Sequence, residues 1–250
     1  MSKPRVAVHK FSSCDGCQLA FLNLGEDLLR LTEIVELVHF LEAGLDNATA
    51  QVDVAFVEGS ISTPEDLERI TAIRANSKLL ITIGACATSG GVQALRNYAD
   101  AKAWTQAIYA SPQYISSLDK VTPIAAQVKV DLELWGCPIT GRQVIDTVRA
   151  LTNGALPLQN ADKVCSECKR DQHSCVLVSK GLPCMGPVTR SGCGALCPSI
   201  GRECYGCFGP AENTEAKAFA ETLARLGLPQ DEVQRRFRLI HSQAKEYEQT

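Results

Sequence analysis

The sequence predicts an α/β fold: a flavodoxin-like, doubly wound parallel sheet, then a cysteine-rich, loop-dominated region and a short helical tail. Three observations carry this. Short apolar runs alternate with helix-patterned stretches over the first 150 residues or so, and such alternation implies a parallel sheet covered on both faces. Cysteine usage then changes: Cys14, Cys17, Cys86 and Cys137 are scattered, whereas Cys165, Cys168, Cys175, Cys184, Cys193, Cys197, Cys204 and Cys207 are crowded together. From about Pro210 helical periodicity returns. The boundaries read from these shifts are 1–155, 156–210 and 211–250.

The elements follow in order. "RVAVHKF" is a buried strand, and Leu19, Phe21, Leu22, Leu28 and Leu29 give the helical pattern after it. "EIVELVHF" alternates as a second strand, and "VDVAFVEG" is a third. Ser62-Thr63-Pro64-Glu65 signals a helix start before "EDLERITAIRAN". "KLLITIGAC" is a fourth strand, "VKVDLELWGCP" a fifth, and "TGRQVIDTVRAL" a helix. The segment "CSECKRDQHSC…PCMGPVTRSGCGALCPSIGRECYGC" has little hydrophobic periodicity. It is expected to make little core of its own and to depend on metal. The tail, "ENTEAKAFAETLARLG" and "PQDEVQRRFRLIHSQAKEY", reads as helices with a solvated, charged face.

In open α/β sheets ligands bind beyond the carboxyl ends of the strands. Cys14 and Cys17 follow the first predicted strand, Glu58 ends the third, Cys86 the fourth and Cys137 the fifth. Four thiols far apart in sequence are therefore expected to meet at one crevice, with Glu58 beside them. Burial there would raise the pKa of Glu58 and suit it to proton relay, a backbone cap being the structural alternative.

Net charge is −3 and aromatic residues make up 6 % of the chain, which offers neither a basic surface nor a stacking platform for nucleic acid. No apolar run approaches the roughly 20 residues of a membrane span, and "MSKPRVAVHKF" lacks the features of a secretory signal. A soluble, cytoplasmic protein is expected. In that reducing compartment twelve cysteines point to metal or catalysis rather than disulfides.

Twelve thiols divide into three quartets, the ligand set of a 4Fe–4S cluster but equally of a four-cysteine zinc site. Spacing favours iron. A zinc ribbon takes two close cysteine pairs, whereas the first quartet joins one pair to single cysteines at two strand ends. Gly16, Gly84, Gly90, Gly91, Gly136, Gly192, Gly194 and Gly206 recur around the cysteines, either to let main chain approach a cluster or as ordinary turns. A thioredoxin-like role for Cys14 and Cys17 would need a pair free of further thiols. The histidines at 9, 39, 173 and 241 show no ligand spacing, and His173 reads as a surface residue.

"SCDGCQ", "VEGSIS", "IGACATSGG" and "WGCP", in that order, with "PCMGPVTRSGC…ECYGC" after them, resemble the small, electron-transferring subunit of nickel–iron hydrogenases. The resemblance covers nearly the whole chain apart from the last 40 residues or so. It is nearest to the cytoplasmic, nicotinamide-linked group, including the sulfhydrogenase delta subunits. It implies that Cys14, Cys17, Cys86 and Cys137 hold a proximal 4Fe–4S cluster. Cys193, Cys197, Cys204 and Cys207 would hold a medial one, and Cys165, Cys168, Cys175 and Cys184 a distal one. Exported members carry histidine where Cys165 stands and proline near Cys197, so four cysteines at both sites imply three 4Fe–4S clusters. Exported members also have an acidic residue soon after the first pair, where this chain has Gln18-Leu19.

The same resemblance places the Ni–Fe centre in a separate large subunit and the exit for electrons at an iron–sulfur/flavin, diaphorase-type subunit that carries FAD and reduces NAD(P). Lys169 and Arg170, beside Cys168, would raise the distal potential, dock a partner or be plainly solvated. The alternatives are a deazaflavin- or heterodisulfide-linked hydrogenase, a related subunit of a respiratory dehydrogenase, and a zinc scaffold.

Overall fold

Five short apolar segments pair as one parallel sheet in the order β2-β1-β3-β4-β5. They are β1 (Arg5–Lys10), β2 (Glu36–Phe40), β3 (Val52–Glu58), β4 (Ser77–Ile83) and β5 (Leu132–Leu134). That order, reversing at β1 and β3, is the flavodoxin-like arrangement the sequence predicts. The structure, a computed structural model, describes residues 3–159, 162–248 and 250. It comprises two compact units, Met1–Pro157 and Leu158–Thr250.

Alternation along the strands sends side chains to opposite faces. Val6, Val8, Val54, Phe56, Ile81 and Ile83 pack on one face with Phe21, Phe40, Val144 and Val148. Ala7, Ala55, Val57 and Leu80 face the other way, against Ile70 and Ile73. Phe21 meets Phe40 and Phe56 edge to face, with centroids 5.9 and 5.3 Å apart. Each fully buried side chain of this size contributes about 1.5–3 kcal/mol.

Helices α1 (Gly16–Leu22), α2 (Glu26–Ile34) and α3 (Pro64–Ala75) precede β4; α4 (Gly84–Ser89) and α5 (Ala101–Ile108) follow it, and α6 (Gly141–Thr152) follows β5. Helix α3 starts as its sequence requires: Thr63 is the N-cap, Pro64 opens the helix and Asp66 completes a capping box. Thr140 and Gln143 do the same for α6.

Three expectations need correction. The leucine pattern after β1 is not one helix, because Gly25 at φ 57° separates α1 from α2 and Leu19 and Leu29 are exposed. The "EIVELVHF" run is helical through Ile34 and turns to strand only at Glu36. The fifth strand is shorter than the run from Val128 to Cys137. Asp131 Oδ2 accepts the Leu80 N–H at 2.8 Å and pairs with Arg74, so a carboxylate takes the place of a main-chain acceptor there, while the Asp131 N–H still donates to the Leu80 carbonyl at 2.9 Å.

The second unit holds α7 (Val164–Arg170), α8 (Val176–Lys180), α9 (Leu196–Ser199), α10 (Ala216–Arg225) and α11 (Gln230–His241). The cysteine-rich stretch alone offers few core residues, but the tail supplies the rest. Val164, Val176, Met185 and Val188 pack in one core with Phe219, Leu223, Val233, Phe237 and Tyr247. Tyr247 donates its hydroxyl to the Val188 carbonyl at 3.1 Å. The apolar face of the tail thus supplies about half of this unit's interior, while charged residues such as Asp231 and Arg235 stay exposed. Among the described residues no helix is long and apolar enough to cross a membrane.

Candidate metal centres

Parallel register aligns the strand ends. Lys10 lies opposite Glu58, Glu58 opposite Ile83, and Ile83 opposite Leu134. Three of the four segments leaving that line carry predicted ligands, Cys14 and Cys17 after β1, Cys86 after β4 and Cys137 after β5, while β3 ends on Glu58 itself.

The turn after β1 is fixed from two sides. Lys10 Nζ holds Asp15 at 2.7 Å, and Asp15 stands at φ 65° just before α1. Glu58, 2 % exposed, accepts the Cys17 N–H at 3.1 Å through Oε1 and the Gln18 N–H at 3.2 Å through Oε2. These are first-turn N–H groups of α1 with no partner in the helix, and a carboxylate is favoured there. Glu58 therefore serves as the backbone cap named above as its alternative role. Burial pushes its carboxyl pKa up, while the hydrogen bonds from Cys17 and Gln18 pull it down.

Glycines make the space between the thiols. A Cβ on Gly84 (φ 83°) would overlap Cys17 Sγ, and one on Gly91 (φ 62°) would lie 2.7 Å from Cys86 Sγ. One on Gly16 would stand 3.4 Å from Cys14 Sγ and 3.5 Å from Pro138. The thiols feel one another. Burial pushes Cys17 well up, helped by Glu58, Cys86 and Cys137. Cys86 rises to about 11, chiefly through burial, with Cys137 and Cys14 adding to it and the Gln93 amide opposing. Cys137 rises through burial and then through Cys14. Cys17 thus feels Cys86 and Cys137, and both of these feel Cys14; metal would bind by displacing thiol protons.

In the second unit α7 carries Cys165 and Cys168 one turn apart. Cys168 is pushed up to about 11 by burial, then by Cys165, Cys184 and Cys175. Gly186 passes between them: a Cβ there would meet Cys165 Sγ at 3.4 Å and Cys184 Sγ at 3.5 Å. The third predicted quartet is less closely knit. Cys204 is raised by burial and also feels Cys184 and Cys207. Cys193 is raised by burial and also by Glu167, and Cys197 lies on α9. The second and third sets abut, since the Cys204 N–H donates to Cys184 Sγ at 3.2 Å.

The donor chemistry fits iron–sulfur clusters. A zinc site needs donors about 2.3 Å from one ion, and among the described residues no three His, Cys, Asp or Glu side chains are placed to hold a single metal ion. Thiols grouped around glycines, as Cys14, Cys17, Cys86, Cys165 and Cys184 are, suit a larger inorganic core. His173 is half-buried beside Asp171, and Lys169 and Arg170 are exposed on the last turn of α7. Glu167 went unnoticed in the sequence; its signal was a carboxylate between the two cysteines of "CSEC".

The family described as NADH ubiquinone oxidoreductase, 20 Kd subunit, matches residues 14–151. Sulfhydrogenase 2 subunit delta of Pyrococcus furiosus is 35% identical, over 94% of this chain and 98% of its own. A subunit of the F420-non-reducing hydrogenase of Methanocaldococcus jannaschii is 32% identical, over 84% of this chain and 83% of its own. Among solved structures, a chain of an NAD+-reducing [NiFe]-hydrogenase in the H2-reduced state superposes with a TM-score of 0.58 at 27% identity, covering 62% of this chain and 94% of that one.

Proposed function

The chain belongs to the family of the 20 Kd subunit of NADH ubiquinone oxidoreductase, in its branch of nickel–iron hydrogenase small subunits, and from that premise we propose that it relays electrons through three 4Fe–4S clusters between a nickel–iron large subunit and a flavin-bearing, NAD(P)-reducing partner in the cytoplasm. The observation that carries this reading is the convergence of Cys14, Cys17, Cys86 and Cys137 from three aligned strand ends.

When bound, such clusters supply one-electron carriers whose potentials follow hydrogen bonding to sulfur, burial and nearby charge. The chain's own residues set those quantities. Cys14, Cys17, Cys86 and Cys137 would hold the first cluster in the unit that takes electrons from the large subunit. Cys193, Cys197, Cys204 and Cys207 would hold the medial cluster, and Cys165, Cys168, Cys175 and Cys184 the distal one. Gly16, Gly84 and Gly91 keep the first site clear of side chains. Glu58 fixes the Cys17 turn and is the side chain assigned to proton relay there.

Anaerobic purification of the native assembly tests this. About twelve irons per chain, with three separable cluster signals, are expected; about three zincs per chain would overturn it. The similarity to a subunit of an F420-non-reducing hydrogenase supports a second reading, in which the same relay serves an acceptor other than NAD(P). The chains that co-purify, and their flavins, distinguish the two.

A further inference from the structure

We infer that Glu167 is a positioning residue for the ligand Cys193: it ties the Cys193 loop to helix α7 and sets a negative charge beside that sulfur. The inference rests on the proposed reading of the second unit as an iron–sulfur carrier.

The loop from Gly192 to Ala195 turns its main-chain N–H groups inward. Gly192 has φ 130°, Gly194 φ 67° and Ala195 φ 51°. Left-handed backbone of this kind forms a concavity lined by N–H donors, which selects an anion. In a cluster-binding loop the expected anion is the cluster, yet here a side chain occupies the concavity. Glu167 Oε1 accepts from Gly192 N at 2.8 Å and Gly194 N at 3.2 Å. Its Oε2 accepts from Ala195 N at 3.1 Å and lies 3.9 Å from Cys193 Sγ. All four partners are donors, and both carboxylate oxygens are used as acceptors. The side chain is buried, and Ala195, completely buried, is held in a conformation that costs an L residue energy. Such strain persists only where surrounding contacts over-determine it.

Position along the chain gives the arrangement its consequence. Glu167 lies on α7 between Cys165 and Cys168, ligands proposed for the distal cluster, while its carboxylate holds the loop of Cys193, proposed for the medial one. One helix turn therefore fixes both. With Cys193 as a cluster ligand its thiol proton would pass to solvent, the donor to Oε2 would be lost, and the carboxylate would face the sulfur directly. A buried carboxylate there opposes the arrival of an electron and lowers the potential of the cluster that Cys193 holds.

The test compares the cluster-loaded assembly with its Glu167→Gln and Glu167→Ala variants by iron content and by redox titration followed with paramagnetic resonance. Gln keeps an oxygen for the Gly192 and Gly194 N–H groups and removes the charge. The potential of the medial cluster should rise most in Glu167→Gln, that of the distal cluster, whose ligands flank Glu167 on α7, less, and that of the proximal cluster should stay. Glu167→Ala removes the anchor and should lose that cluster's signal selectively. If Glu167→Ala fails to fold, Glu167→Gln still decides the matter. Three unchanged potentials in Glu167→Gln would overturn the inference while leaving the relay intact. Absence of cluster signals from the wild-type assembly would overturn the relay, and this inference with it.

Discussion

Glu58 grips the turn that presents Cys17: its two carboxylate oxygens take the Cys17 and Gln18 N–H groups at 3.1 and 3.2 Å, from the end of a strand 40 residues away. The contact joins the sheet to the first thiol pair and sets α1 at the mouth of the crevice. It is also buried, so removing it leaves two N–H groups without water or partner.

Glu58→Ala should therefore destabilise the first unit by about 1–3 kcal/mol and loosen the Cys14–Cys17 turn, read as a lower midpoint in thermal unfolding followed by circular dichroism. Glu58→Gln keeps most of the shape but cannot carry a proton. In the loaded assembly it should abolish hydrogen–deuterium exchange with all clusters present. Exchange at the wild-type rate would confine Glu58 to its capping role.

Cys197 tests the assignment of the third quartet. It sits in the first turn of α9, where main-chain N–H groups have no partner within the helix, so proline is tolerated there. Cys197→Pro should convert the medial cluster to a three-iron form, visible by paramagnetic resonance, with the first unit still folded. A four-iron medial signal in that variant would show that Cys197 is not a ligand.

The chain shows which signals survive translation into structure. The short apolar runs around Val6–Val8, Val54–Phe56 and Ile81–Ile83 located the sheet, and Ser62-Thr63-Pro64-Glu65 located a helix start, because both patterns are local. The crevice was legible because a parallel sheet obliges strand ends to line up, so cysteines at those ends could be grouped without contacts in hand. What escaped was non-local. Nothing near Asp131 announces that its carboxylate takes the Leu80 N–H just before β5. Phe219 and Phe237 look like the apolar stripes of amphipathic helices, and only the fold shows them sharing a core with Val164 and Met185. Glu167 drew no notice until Gly192, Gly194 and Ala195, at positive φ, were seen to close around it.

A buried histidine pair predicts acid sensitivity. His9 and His39 stack with centroids 4.6 Å apart, and His39 Nδ1 accepts the Asn47 N–H at 3.2 Å. Burial, His39 and Arg69 push the His9 pKa down to about 3. Burial and Arg69 lower that of His39 against the opposing pull of Asp46. Both are neutral in the fold, whereas an unfolded histidine takes up a proton near pH 6.5. The unfolded chain then binds more protons below that point, so stability is full above pH 6.5 and falls as the pH drops towards 3. The slope is at most about 1.4 kcal/mol per pH unit for each histidine. Urea unfolding of the first unit between pH 7.5 and 5 should show this decline, and His9→Phe should flatten it. A decline as steep in His9→Phe as in the wild type would trace the effect to other groups.

The tail offers the sharpest test of how the second unit is held. Phe237 is 1 % exposed and meets Tyr247 edge to face at 5.1 Å. On the same helix His241 Nε2 lies 3.0 Å from the Cys207 carbonyl, and Arg236 donates to the Pro183 carbonyl at 3.1 Å, the residue before Cys184. Helix α11 thus braces loops that carry proposed ligands of two clusters. Phe237→Ala should cost about 3–5 kcal/mol. Because the second unit has its own core, the loss should appear as cluster release there while the first unit keeps its cluster. Arg235→Ala, on the exposed face of the same helix, should change stability by no more than about 0.5 kcal/mol. Full iron and an unchanged melting profile in Phe237→Ala would mean that the cysteine-rich segment stands without its tail, held by metal alone.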